Sequence, residues 1–283
     1  MGSSRFSLPV SSSASSPVSS SASSPAFPSD VVGQLRRAGC VFAEDEAALI
    51  FSVARDDGHV GAMVEQRVRG LPLEQVVGFA EFCGLRVGVE AGVFVPRRRT
   101  EFLVRHALEV LPAQGVVLDL CCGSGALGLA VAAGGAAGEV HAADIDPVAV
   151  ACARRNLAGV GGQVYVSDLY AGVPARLRGR VDVLVVNAPY VPSGEIGLLP
   201  PEAREYEPLI ALDGGGDGVE VQRRVAAQAH AWLAPAGRLL IETSERQAER
   251  TVRAMVDGGL VARVEGCDEL GATVVIGTAP PTV

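Results

Sequence analysis

The stretch Val116-Val117-Leu118-Asp119-Leu120-Cys121-Cys122-Gly123-Ser124-Gly125-Ala126-Leu127-Gly128 decides the fold of this chain. Its first five residues are apolar apart from Asp119 and read as a buried strand. Glycines then break the run, and an apolar helix is predicted over about 126–133. Gly123, Gly125 and Gly128 fit the spacing G-x-G-x-x-G, in which absent side chains let a backbone approach a ligand closely. Asp144 ends the next apolar run, 21 residues after Gly123, where a carboxylate meets ribose hydroxyls. Strand, turn, helix and acid together predict an α/β protein that binds a nucleoside.

Downstream, the alternation of strand and helix continues. A strand is predicted over 139–143, a helix over 147–157 with Pro147 in its first turn, and a strand over 164–166 ending at Ser167-Asp168. Val183-Leu184-Val185-Val186-Asn187-Ala188-Pro189-Tyr190 follows: a doubly buried strand that stops at an amide, a small residue, a proline and an aromatic. Ligands of open α/β sheets sit beyond the carboxyl ends of strands, so these four residues are the candidate acceptor-handling group. Asn187 offers an acceptor and donors, Pro189 stiffens the turn, and Tyr190 offers a flat face with a polar tip. A helix over 219–233, a strand over 238–242, a helix over 245–256 and a closing hairpin over 261–264 and 273–277 complete the pattern. The sheet is therefore expected to be mostly parallel, with its last strand antiparallel.

Upstream, four segments precede or begin that domain. Residues 1–29 are rich in Ser, Ala and Pro and repeat the octad Val10–Pro17 as Val18–Pro25, a composition expected to stay disordered. Residues 30–69 read as a small helical module, with Met63 and Val64 on an apolar face. Residues 70–100 read as a β-hairpin turning at Cys83-Gly84, then a connector carrying Arg97-Arg98-Arg99, either a solvated surface run, the reading preferred on base rates, or an anion contact. The main domain is assigned to 101–283.

Composition narrows the chemistry. All 24 basic residues are arginine, which excludes Schiff-base, P-loop and lysine-nucleophile mechanisms. A net charge of −8 does not favour a nucleic-acid backbone or an anionic membrane as partner. Six cysteines without C-x-x-C spacing and four scattered histidines give no metal site, and a reduced, cytoplasmic setting is expected. Cys121 and Cys122 read as small buried hydrophobes at a tight turn.

Two features favour S-adenosylmethionine (SAM) over a nicotinamide dinucleotide. Asp119, beside the glycine turn, can balance ammonium and sulfonium charges but would repel a pyrophosphate. The acceptor-handling group at 187–190 lacks the acid–base pair that hydride transfer needs. Within this reading Val117 to Gly125 resembles motif I of class I SAM-dependent methyltransferases, and Asn187-Ala188-Pro189-Tyr190 resembles their amino-methylating [DN]-P-P-Y motif. Pro96-Arg97, Thr100-Glu101, Glu207-Pro208, Ala211 to Gly214 and Glu242 to Gln247 extend the resemblance to the protein-(glutamine-N5) methyltransferases that modify translation release factors.

That resemblance implies a Rossmann-like class I methyltransferase sheet with SAM as cofactor, a glutamine-presenting protein as partner, and the helical module of residues 30–69 as the part that recognises this substrate. It implies that Cys121, Cys122, Gly123, Ser124 and Gly125 wrap the methionine part of SAM, and that Asp144, with Ile145 beside it, holds the ribose. Asp168 and Leu169 would lie against the adenine. Asn187, Ala188, Pro189 and Tyr190 would grip the substrate amide, with Asn187 also bordering the cofactor. Ala188 departs from the family pattern, where a proline stands. Three other readings remain at this point: an exocyclic amine of a nucleic-acid base as acceptor, an NAD-binding oxidoreductase, and a SAM-binding protein without transfer activity.

Overall fold

The computed structural model describes residues 29–281. The expected disorder of the Ser-rich tail falls on residues 1–28, outside the described ones, except at its last position: Ser29 already opens a helix.

Four helices come first: α1 (Ser29–Arg37), α2 (Ala43–Val53), α3 (Asp57–Val68) and the short α4 (Leu73–Val77). Gly39 takes a left-handed φ just past α1, and the Asp56 side chain caps α3 by accepting the His59 N–H. Leu35, Ala47, Ile50, Met63 and Val64 close a small core between these helices. The hairpin β1 (Phe79–Phe82) and β2 (Leu85–Gly88) turns at Cys83 and Gly84, whose φ values of 50° and 73° suit a two-residue hairpin.

After α5 (Glu101–Val110), the chain builds a sheet from β3 (Gly115–Leu120), β4 (Ala137–Asp144), β5 (Gln163–Val166), β6 (Val181–Val186), β7 (Leu233–Thr243), β8 (Val261–Cys267) and β9 (Ala272–Thr278). The connecting helices are α6 (Ala126–Ala133), α7 (Pro147–Leu157), α8 (Pro201–Tyr206), α9 (Glu220–Ala229) and α10 (Ala248–Asp257). Strand order is β5-β4-β3-β6-β7-β9-β8, with the first five parallel. β9 runs antiparallel to both its neighbours and inserts between β7 and β8. The expected Rossmann-like sheet is present, and its antiparallel strand lies inside rather than at the rim.

The period of two in the strands divides the core into two layers. Leu118, Leu120, Leu184, Val186, Leu239 and Ile241 face α9 and α10, where Val225, Ala229 and Met255 meet them. Val117, Val183, Val185 and Leu240 face α5 and α6, against Phe102, Leu103, Leu127 and Val131. With both faces covered, the strand residues can be uniformly apolar. That is why β3 and β6 read as continuous hydrophobic runs.

Candidate active site

The carboxyl ends of β3, β4, β5 and β6 open into one cavity of about 590 Å³. Cys121, Cys122, Gly123, Ser124, Asp144, Ile145, Asp168, Leu169 and the whole of Asn187 to Tyr190 line it. Gly125 stands behind its wall, where a left-handed φ of 76° starts α6 and a Cβ would lie 3.1 Å from that of Ala153.

The Asp144 carboxylate ties two strand ends together. Its Oδ2 accepts the Gly123 N–H at 2.8 Å and its Oδ1 accepts the Asp146 N–H at 3.0 Å. Burial raises its pKa, against those two hydrogen bonds. Two non-glycine residues on the wall, Cys121 (φ 56°) and Leu169 (φ 50°), are held in the left-handed region. Such strained positions concentrate at ligand sites, because there the backbone is shaped for something other than its own comfort. Cys122 is buried as expected, whereas Cys121 is half-buried on the wall. Burial pushes both thiols above their ordinary range, so neither is a ready nucleophile. Tyr170 turns away from the cavity, stacks on Trp232 and donates its hydroxyl to the Val225 carbonyl at 3.1 Å.

Asp119 corrects its expected placement. It is wholly buried and absent from the cavity wall; its Oδ2 accepts the Gly128 N–H of α6 at 2.9 Å, and its Oδ1 has no partner. The carboxylate fastens the glycine turn to its helix instead of meeting a ligand directly.

The arginine run is also placed differently from the solvated surface expected of it. Arg97 and Arg99 both line the cavity, paired respectively with Glu207 (2.6 Å) and Glu242 (3.1 Å), while Arg98 between them faces solvent. Arg224 of α9 lines the cavity as well and grips both oxygens of Asp168, at 2.8 and 2.7 Å. These pairings neutralise the cations on the wall and leave the carboxylates of Asp144 and Asp146 uncompensated. A cationic ligand fits that balance better than a pyrophosphate does.

At the other end, the Asn187 Nδ2 faces Thr100 Oγ1 at 3.4 Å. Neither Asn187 Oδ1 nor the Ala188 carbonyl accepts a hydrogen bond from any described residue. The backbone of the motif is braced from behind. Gln247 Nε2 donates to the Tyr190 carbonyl at 2.8 Å, and Val191 exchanges hydrogen bonds with Leu212 and Gly214. The Tyr190 hydroxyl is held by Arg99 and by Glu242, the latter at 3.3 Å. Burial and the nearby Glu242 charge push the phenol up to about 12.

Thus the structure brings together every sequence-predicted site residue except Asp119 and Gly125, which stand behind the wall. Sequence reasoning gave no site role to Asp146 or Arg224, and weighed Arg99 only as one member of a run that was either solvated or an anion contact. Arg99 was hidden in a run of like charges, and Arg224 lies on a helix with no motif of its own. No metal-binding cluster occurs among the described residues.

Residues 85–197 match the family described as methyltransferase small domain. A release factor glutamine methyltransferase of Mycolicibacterium smegmatis is 39% identical over 199 residues, covering 70% of each chain. One of Bifidobacterium longum is 32% identical over 274 residues, covering 84% of this chain and 93% of that one. Among solved structures, a methyltransferase of Pyrococcus furiosus shares the fold with a TM-score of 0.53 at 16% identity, over 70% of this chain and 90% of that chain. A 16S rRNA methyltransferase of T. thermophilus, solved with AdoMet and guanosine, gives 0.52 at 20% identity, over 71% of this chain and 49% of that one. The two structures establish the class I methyltransferase fold, and the extent and identity of the sequence matches place this chain in the family of the release factor glutamine methyltransferases.

Proposed function

We propose that this protein is a SAM-dependent N-methyltransferase acting on the side-chain amide nitrogen (N5) of a glutamine in a protein substrate, such as a translation release factor. The observation that carries the reading is the pair of spare acceptors, Asn187 Oδ1 and the Ala188 carbonyl, on the cavity wall. A primary amide presents two N–H groups in one plane, and two fixed acceptors orient it completely. The names of the relatives supply the kind of acceptor.

The cofactor half of the cavity fits SAM. Gly123 leaves the approach open, Asp144 offers free lone pairs for a ribose, and Ile145, Asp168 and Leu169 frame a flat base. When bound, SAM supplies a methyl group on a positively charged sulfonium. The chain's own contribution is placement. An amide nitrogen is a poor nucleophile because its lone pair is delocalised, and orienting two reactants can supply about 7–11 kcal/mol of a barrier. Tyr190 cannot act as a base near neutral pH with its phenol at about 12. The departing proton needs no strong base, since methyl transfer itself makes the nitrogen acidic. Substitution of proline by Ala188 keeps the carbonyl on which this grip depends. The helical module reaches the cavity rim through the contact of Arg67 with Glu202, 3.3 Å, and we assign it to substrate recognition.

An exocyclic amine of a nucleic-acid base would fit the same two acceptors. The arginine run is the feature that would favour a nucleic-acid acceptor, but its Arg97 and Arg99 are already paired with the buried carboxylates of Glu207 and Glu242. Incubating the protein with labelled SAM and cell extract, then analysing the labelled species by mass spectrometry, tests the reading. Label on a protein glutamine is expected; label on nucleic acid, or none, would overturn it. Asn187→Ala should lower transfer by about 100-fold or more while calorimetric SAM affinity changes little.

A further inference from the structure

One short 3₁₀ turn, Arg98–Thr100, touches both functional side chains of the acceptor grip. Thr100 is 4% exposed and presents its hydroxyl oxygen to the Asn187 amide. Arg99, the residue before it, points two different nitrogens at two partners. Nη2 donates to the Tyr190 hydroxyl, and Nε donates to Glu242 Oε1 at 3.1 Å. The Tyr190 hydroxyl donates to the same Glu242 oxygen, and the Arg99 Cζ stands 5.8 Å from the Tyr190 ring centroid. Glu242 is 1% exposed, near the end of the interior strand β7, so the triangle is fixed to the sheet itself.

The turn has firm foundations. It runs straight into α5, whose Phe102, Leu103 and Val104 are buried in the core. Glu101 accepts the Cys83 N–H at 2.9 Å, which ties the same point to the hairpin. Side chains anchored in this way lose little rotamer freedom on binding a ligand, because the fold has already removed it.

Building on the amide-gripping role proposed above, we infer that the Arg98–Thr100 turn is a clamp that presets both side chains of the grip. Thr100 holds the Asn187 side chain against the turn through its Nδ2, with Oδ1 left toward the acceptor. Arg99, seated on buried Glu242, pins the Tyr190 phenol. Both are positioning residues. An asparagine amide has two nearly isosteric orientations, and only one of them offers an oxygen to an incoming N–H. A hydroxyl meets either end of that amide, so Thr100 fixes where the side chain stands and the incoming N–H selects the orientation that presents Oδ1. Arg99 suits its task because a planar fork reaches two partners at once, which an ammonium on a flexible stem does not.

The test uses the full chain with Thr100→Val, Thr100→Ser and Arg99→Lys. Thr100→Val keeps the shape but removes the oxygen; Thr100→Ser restores it. Arg99→Lys leaves a cation for Glu242, so a folded protein is retained without the fork. For Thr100→Val and Arg99→Lys, kcat should fall about 10- to 100-fold with KM and calorimetric SAM affinity within about twofold. Thr100→Ser should recover most of the rate. Combining Arg99→Lys with Tyr190→Phe should cost no more than the worse single variant, since both break one contact. Rates are measured on whichever acceptor the wild type labels. A failed glutamine reading then shows in the identity of that acceptor, and a failed clamp shows in the rate ratios. A second measurement needs no acceptor: the Asn187 side-chain amide resonance should shift in Thr100→Val and not in Thr100→Ser. Unchanged rates in both variants, an unmoved resonance, or additive losses for Arg99 and Tyr190 would each overturn the inference.

Discussion

The Asp119 carboxylate has no accessible surface, a single hydrogen bond from Gly128 and a second oxygen without a partner. Burial, opposed by the Gly128 hydrogen bond, raises its pKa from 3.8 to about 7. A carboxyl raised in this way favours the folded state most below its unfolded value. Its contribution shrinks as the unfolded chain ionises and is gone once pH passes about 7. The loss amounts to about 1.4 kcal/mol for each pH unit between the two values. Asp119→Asn keeps an oxygen for Gly128 and removes the ionisation. Its melting temperature should therefore exceed wild type by an amount that grows from pH 4 to pH 7, and calorimetry should find SAM affinity within about threefold of wild type. A collapse of SAM affinity would return Asp119 to the ligand role first expected of it. At this scale the sequence was most informative where chemistry is local. Asn187 and Asp144 announce themselves by type and place, at the end of an apolar run. Arg99 and Thr100 did not, because their partners lie 91 and 87 residues away and no spacing rule links them.

Between β6 and α9 lie three short helical pieces, Ser193–Leu198, Pro201–Tyr206 and Leu209–Ala211. Sequence reading left this stretch without elements, since runs this short carry too few turns to establish a period. The same limit hid α4. Long periodic elements fared better: α6 and α7 begin and end as expected. The predicted helix over 219–233 ran too far because Trp232 and Leu233 continue its apolar pattern while belonging to the turn and to β7. The glycine loop after Ala211 was recognisable only as a family feature, yet its physical reason is plain in the fold. A Cβ on Gly214 would stand 2.7 Å from the Tyr190 Cα and 2.8 Å from the Pro189 carbonyl. Gly214→Ala must therefore push the acceptor motif out of place. Overpacking of this kind costs about 1–3 kcal/mol, and methyl transfer should fall far more than SAM affinity does. Equal loss of both would show that the loop supports the whole cavity.

The helical module meets α8 of the sheet domain through Arg67 and through the Tyr206 hydroxyl, which donates to the Arg69 carbonyl. Arg67 reaches Glu46 with two nitrogens, at 2.7 and 3.2 Å, and also meets the Leu71 carbonyl and Glu202 of α8. Both Arg67 and Glu46 are close to buried, at 13% and 11% side-chain exposure. Arg67→Met should destabilise the protein by about 3–5 kcal/mol, because Glu46 is left charged without a partner. Denaturant unfolding would check it, and loss of less than about 1 kcal/mol would mean the pair is replaceable by water. The alternation of strands and helices made the sheet legible from sequence, whereas the order of its strands was not. Nothing local places β9 between β7 and β8, because that insertion is decided by which edges remain open after the rest has packed. The insertion bears on how the protein is made. Residues leave the ribosome in order, so β7 is complete long before Ala272 emerges to cover its edge. Until Thr278 is out, an apolar strand edge stands unpaired on the nascent chain, and such edges recruit other chains. Synthesis halted before Ala272 should give insoluble product, and the Glu242 to which Arg99 is tied would sit on that unprotected edge. Methylating capacity would then arise only once β9 has emerged and paired.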